Sequence, residues 1–180
     1  SEMSEQTTAL GLRRFDYATY DRLLARVGAG RENLRFCDWS ADAGPERFFI
    51  LRHDVDLCPA AALRMAEFEH ERGLRATYFL LMSGHDYNLL SPEHCALPAR
   101  LVALGHEVGL HYDAGMIETV AGAEPEAVLE AQAALLGRLA GTPVRSISMH
   151  NPSVSGADPF RATTRYVNAY DERLTRRIGY

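Results

Sequence analysis

The sequence predicts a parallel α/β fold in a single domain spanning residues 1–180, and three observations predict it. Short apolar, β-prone runs alternate with helical stretches along the whole chain. Glycines close the helical stretches: Gly28 and Gly30, Gly73, Gly105 and Gly141. Carboxylates and imidazoles then terminate three of the strand-like runs, where parallel folds place their ligand sites.

The elements follow in order. Tyr17 to Val27 carries Tyr20, Leu23, Leu24 and Val27 at helical spacing. Phe48 to Val55 is an apolar strand. Pro59 to Arg72 reads as a helix with proline in its first turn and Ala62, Leu63 and Ala66 along one side. Ala76 to Leu81 is β-prone. Ser91-Pro92-Glu93 resembles a helix start, with Leu97, Leu101 and Leu104 on one face; Pro98 predicts a restart or kink there. His106 to Tyr112 is the next strand, and Glu124 to Leu139 is the strongest helix. Val144 to His150 and Tyr166 to Tyr170 complete a count of five strands, with a further strand expected from Ile178.

Composition narrows the function. The formal charge is −5, the 19 basic residues are all arginine, and no basic cluster could track phosphates, so nucleic acid is not an expected partner. The longest basic run, Arg173 to Arg177, reads as a solvated helix face. No run of about 18 apolar residues occurs, so no membrane span is expected. The first residues lack the basic and apolar regions of a signal peptide. Cys37, Cys58 and Cys95 form no CxxC pair, which fits a reducing, cytoplasmic location. The oligomeric state is not legible.

The strand ends carry the chemistry. One strand ends Arg52-His53-Asp54-Val55-Asp56, another Glu107-Val108-Gly109-Leu110-His111, a third Ser146-Ile147-Ser148-Met149-His150. Alternate residues of a strand face opposite sides. If Leu51, Val55, Val108, Leu110, Ile147 and Met149 face the helices, then Arg52, Asp54, Asp56, Glu107, His111 and His150 share the other face. Such a polar set is costly to bury unless paired or bound to metal. Arg52 and Glu107 lie deeper and are expected to pair with each other. One carboxylate with two imidazoles at the mouths suits a zinc ion with a position open to water. A second, non-ligating carboxylate would serve as general base. The plainer alternatives are that Asp56 caps the following helix and that His111 is a satisfied buried histidine. His53, His70, His85, His94 and His106 are expected as surface or packing residues.

At these residues the sequence resembles the polysaccharide deacetylase superfamily, the NodB-type or family 4 carbohydrate esterases. It looks most like a divergent bacterial branch with a Leu-Arg-His-Asp-Val-Asp motif. The matching stretches are Leu51 to Asp56, Gly73 to Phe79 and Gly105 to Tyr112, with Ser148 to Pro152 as a looser match. The resemblance implies an irregular, usually seven-stranded β/α barrel that removes acetyl groups from sugars, or cleaves related amides, with a divalent metal. By position it makes Asp54 the catalytic base and Asp56 and His111 metal ligands. The second family histidine would fall on Gly115, which cannot ligate. His150 is the expected replacement, with Asp113 the alternative.

The expected protein is therefore a metal-dependent deacetylase or amidohydrolase acting on C–N bonds other than peptide bonds. Its partner is an acylated sugar or glycoconjugate, and its metal is zinc. Asp54 is the base; Asp56, His111 and His150 are the ligands. Tyr87, Asn88 and Asn151, which follow strand ends, are candidate substrate contacts. No general acid can be assigned; the resemblance implies one near the superfamily's C-terminus. Two rivals stand beside this reading: a catalytically silent barrel that binds a carbohydrate or protein partner, and a His-Asp phosphohydrolase. Seven strands need roughly 50 to 80 residues more than this chain has at typical unit lengths. The chain is thus expected to be truncated or an incomplete barrel.

Overall fold

The computed structural model describes residues 16–120, 122–151, 158, 160 and 165–177. The described residues fall into two compact units: one within Ser1–Glu32 and Pro45–Phe49, the other within Asn33–Gly44 and Ile50–Tyr180.

The smaller unit contains helix α1 (Tyr17–Gly28). Asp16 accepts a 2.8 Å hydrogen bond from the Thr19 amide and so caps one of the helix's unpaired N–H groups. Tyr20 and Leu24, four apart on one face, are buried.

The remaining elements are strand β1 (Glu32–Leu34), a 3-10 turn (Phe36–Asp38), β2 (Phe48–Val55), α2 (Pro59–Glu71), β3 (Ala76–Leu81), α3 (Leu97–Ala103), β4 (Glu107–Tyr112), α4 (Ala114–Thr119), α5 (Pro125–Ala140), β5 (Ser146–Met149), β6 (Val167–Asn168) and α6 (Glu172–Thr175). The five expected strands are present. The last two are shorter than expected, and β1 is a three-residue strand too brief for periodicity to reveal. Ile178, the expected start of a further strand, lies outside the described residues. Residues 91–96 form turns rather than helix, so Pro98 falls in the first turn of α3, where its missing N–H costs nothing. Arg173 and Arg176 lie on or beside α6, exposed and paired with Asp171 and Glu172.

The sheet order is β1-β2-β3-β4-β5-β6, and β2 through β6 run parallel. Every crossover therefore steps in one direction. Because such crossovers are right-handed, one-way winding keeps the connecting helices on one face, which is barrel winding rather than the doubly wound pattern. Six strands in this order form an incomplete parallel β/α barrel. Tyr78, Leu80, Val108, Leu110 and Ile147 pack in one core with Ala66 of α2, Leu101 of α3 and Leu129, Ala133 and Leu136 of α5.

The opposite face is built from register. Arg52 lies beside Thr77, and Thr77 beside Glu107; Asp54 lies beside Phe79, and Phe79 beside Gly109; His111 lies beside Ser148. Gly109 is needed because the Phe79 ring crosses it: a Cβ there would sit 2.5 Å from two ring carbons.

The expected Arg52–Glu107 ion pair does not form. Glu107 accepts from the Thr77 hydroxyl (2.6 Å), the Cys37 amide (3.0 Å) and the Ser146 hydroxyl. Three donors satisfy the buried carboxylate without a cation. Burial, reinforced by Glu107, pushes the neighbouring Cys37 thiol up to about 12, so it is an inert thiol. Arg52 turns instead toward the strand mouths, where it meets Asp54.

Candidate metal centre and active site

Asp56 is the first residue beyond β2, His111 is the penultimate residue of β4, and His150 is the first residue beyond β5. Parallel register brings these strand ends level. The His150 amide donates to the Tyr112 carbonyl at 2.8 Å, extending the ladder one step past β5 and fixing where the His150 side chain starts.

The three donor atoms form a tight triangle. His111 Nε2 is 3.3 Å from Asp56 Oδ1, His150 Nδ1 is 3.5 Å from the same oxygen, and the two nitrogens are 3.3 Å apart. A tetrahedral zinc with bonds of about 2.0–2.1 Å spaces its donors by about 3.3 Å, so the triangle has the dimensions of one zinc face. Asp56 Oδ1 is buried and has no hydrogen-bond partner among the described residues. A buried, unpartnered carboxylate oxygen is costly unless a cation completes it. The donor chemistry and spacing both fit a divalent ion, and these are the residues among those described that gather in a metal-binding group.

The surroundings prepare the ligands. His111 Nδ1 donates to the Ser148 carbonyl at 2.9 Å, which leaves the Nε2 lone pair facing the triangle. Burial pushes the His111 imidazole below its ordinary value, against the pull of Asp54 and Asp56, and holds it in the neutral form that binds metal. The Asn151 side-chain amide lies 3.0 Å from His150 Nε2. The amide nitrogen Nδ2 donates to that ring nitrogen and fixes the orientation of the His150 ring. Asn151 holds this place with a φ of 46°, a left-handed conformation asparagine tolerates better than most residues.

Asp54 stands beside the triangle without belonging to it; its Oδ2 is 3.9 Å from His111 Nε2. Both its oxygens are held by Arg52, at 2.9 Å from Nε and 2.8 Å from Nη2. Arg52 also donates to the Ser148 hydroxyl (2.8 Å) and the Tyr170 hydroxyl (3.0 Å), and it stacks over the Tyr170 ring. Burial works against the Arg52 charge, and Asp54 and Tyr170 more than offset it. Ser148 thus ties the site together: its carbonyl orients a ligand and its hydroxyl holds the guanidinium.

A cavity of about 330 Å³ opens on the triangle, lined by Asp56, His150, Asn151, Asp113 and the Ser83 to Asp86 loop, among others. The expected substrate contacts divide here. Asn151 is on the cavity wall. Tyr87 and Asn88 are not: the Tyr87 hydroxyl donates to the Val55 carbonyl (2.7 Å) and accepts from the Leu81 amide (2.9 Å), while Asn88 Oδ1 accepts from the Leu90 amide. Burial pushes the Tyr87 phenol up to about 12, so it stays protonated for that bridge.

Asp113, the alternative third ligand, is taken up elsewhere. Its Oδ1 accepts from the Met116 amide at 3.1 Å and caps α4. Gly115 lies in the first turn of that helix, where a Cβ would come within 3.3 Å of the same oxygen. Asp56 does not cap α2; the N-cap position is Cys58. The Arg52–Asp54 pair was overlooked in the sequence, although two residues at i and i+2 of a strand share a face and announce it.

No family model and no curated protein matches this chain. Among solved structures, it is similar to the Xyl-CE4 domain of a multidomain xylanase from the hindgut metagenome of Trinervitermes trinervoides, with TM-score 0.44, 18% identity, and coverage of 66% of this chain and 55% of that one. It is also similar to a family 4 acetyl xylan esterase from Clostridium thermocellum in complex with a cobalt ion, with TM-score 0.37, 20% identity, and coverage of 55% of this chain and 46% of that one. The chain spans about half the length of these structures. No helix among the described residues is long and apolar enough to cross a membrane.

Proposed function

We propose that this chain is a metal-dependent hydrolase that removes an acyl group, acetyl above all, from an amino sugar or a related amide or ester, in polysaccharide or glycoconjugate metabolism. What carries the reading is the triangle of Asp56, His111 and His150 facing an open cavity, with a second carboxylate tethered beside it. The proposed ion is zinc and the proposed location is the cytoplasm.

Bound in the triangle, zinc would supply a polarised acyl oxygen and a water made acidic near neutral pH. The protein's own part is then clear. Asp54 takes the proton of the attacking water. Arg52 fixes the direction of its oxygens through two hydrogen bonds. Burial keeps His111 neutral while its Ser148 hydrogen bond sets which ring nitrogen faces the triangle, and Asn151 sets the ring of His150. The cavity holds the sugar.

The test is release of acetate from N-acetylglucosamine oligomers by the zinc-loaded protein, beside Asp54→Asn. Loss of a general base lowers turnover by about 10²–10⁴-fold, and the variant should keep its zinc. A zinc-loaded parent that releases no acetate from any acylated sugar, while still binding glycan, would favour a silent binding barrel.

A further inference from the structure

The cavity that opens on the triangle has a neighbour. A groove of about 310 Å³ adjoins it, lined by the end of β2 and the first two turns of α2. Asp56 and Leu57 line both spaces. Leu57 is 69% exposed, more than any other large apolar side chain among the described residues. The two spaces therefore meet over an uncovered leucine, directly after a residue of the triangle.

Their chemistry differs. The cavity carries Ser83, His85, Asp86, Asp113 and Asn151, a wall suited to sugar hydroxyls. The groove is walled by Val55, Leu57, Ala61, Ala62 and Met65. The polar residues that also line it are engaged elsewhere. The Tyr78 hydroxyl donates to the fully buried Glu69 at 2.7 Å, and His53 Nε2 lies 2.6 Å from the other Glu69 oxygen. Asp54 is held by Arg52, and Asp56 belongs to the triangle. Cys58 has only a weak thiol donor. His53 Nδ1, without a partner among the described residues, is left for whatever enters. A second sugar unit placed there would give up water at several hydroxyls and recover one hydrogen bond, which is costly. An alkyl chain has no such requirement and gains by leaving water.

We infer that the groove holds the alkyl chain of a glycolipid whose sugar occupies the adjoining cavity. The substrate is then an acylated sugar on an apolar aglycone, not a polysaccharide. This rests on the proposed function for the place of the sugar. The acyl group stays at the triangle, and the chain crosses Leu57 to lie against Ala61 and Met65. Contacts so far from the reacting bond are equal in ground and transition states, so they lower KM and leave kcat unchanged.

Chain length provides the test. The probes are the methyl and octyl β-glycosides of N-acetylglucosamine, the N-acetylglucosamine tetramer, and the methyl glycoside of N-octanoylglucosamine. The proteins are the parent, Leu57→Gln at the exposed lip and Ala61→Gln in the first turn of α2, where glutamine suits a helix. Acyl release is followed with zinc-loaded protein, and Kd is read by titration calorimetry on the metal-free chain. Each buried methylene strengthens binding about 4-fold, so two of them suffice for about 10-fold. The octyl glycoside should therefore show KM and Kd at least about 10-fold below the methyl glycoside, with kcat within about 2-fold. In both variants that advantage should fall below about 3-fold, with the methyl glycoside cleaved as by the parent. Equal values for the two glycosides, tighter binding of the tetramer than of the octyl glycoside, a gain from the octanoyl amide instead, or an advantage kept by both variants would overturn the inference. Acyl release in the same assays would leave the hydrolase reading standing. A parent that releases no acyl group, yet binds the octyl glycoside more tightly and loses this in the variants, would overturn the hydrolase reading and keep the groove.

Discussion

Removing one corner of the donor triangle should abolish the response to zinc without harming the fold. The chosen variant is Asp56→Ala. A ligand that binds only the native state stabilises it by RT ln(1 + [L]/Kd), about 2.7 kcal/mol at a hundred times Kd. For a chain of 180 residues, each kcal/mol moves Tm by about 2–4 °C, so zinc at that level should raise the parent's Tm by roughly 5–11 °C. Losing an outer-shell partner already costs 10–100-fold in metal affinity, and losing a ligand costs at least the upper figure. At the same zinc concentration Asp56→Ala is then near its Kd or weaker, and its shift falls to about 0.4 kcal/mol, or 1–2 °C. Metal-free, the variant should be as stable as the parent or more so, because the buried Asp56 Oδ1 has no hydrogen-bond partner among the described residues to lose. Scanning fluorimetry at fixed zinc, after chelation and dialysis, measures all four values. The same zinc shift in Asp56→Ala and parent would refute the ligand assignment. A zinc-free variant several degrees less stable than the parent would refute the claim that the oxygen is unsatisfied. Asn151→Ala should fall between the two, with zinc affinity weakened by about 10-fold, because it removes the side chain that bonds His150 Nε2 and leaves the three ligands in place.

Three further outcomes follow from the scaffold. Gly109→Ala forces a methyl to 2.5 Å from the Phe79 ring and should cost about 1–3 kcal/mol, measured by urea denaturation; Phe79→Leu in the same chain should recover most of it, and no recovery would mean the strain lies elsewhere. Tyr87→Phe strips partners from the Val55 carbonyl and the Leu81 amide and should cost about 1–3 kcal/mol, with faster proteolysis at residues 82–86. His106 is buried and neutral: Nδ1 accepts from the Ala76 amide and Nε2–H donates to the Ala66 carbonyl. Burial lowers its folded pKa below 6.5, so the unfolded chain binds the extra proton. Its contribution is present above about pH 6.5 and is lost as pH falls through the folded value. Denaturation midpoints of the parent should therefore decline more steeply from pH 7 to pH 5 than those of His106→Asn; parallel curves would show that His106 does not carry the dependence.

Much of this molecule is legible in the chain because local rules act on short stretches. Phe48–Val55 and Ala76–Leu81 stand where β-prone runs and closing glycines put them, and α5 departs by one residue from its periodicity. Alternation along a strand needs no tertiary information, so Asp54, Asp56, His111 and His150 sort to one face from sequence alone. What parity cannot supply is relative height between strands, and that decides the chemistry. The His111–Ser148 register sets His150 two residues above His111 and closes the triangle on Asp56. Depth misled the reading of Arg52. Its long side chain reaches along the strand to Asp54, two residues away, whereas Glu107 finds two hydroxyls and an amide that only the packed sheet brings together. The role of Gly115 was likewise hidden, since it depends on Asp113 turning back to cap α4. Residue type and period, properties of the chain itself, determined which side chains face the site. Register and loop anchoring, which arise only when strands pair and pack, decided which of them meet.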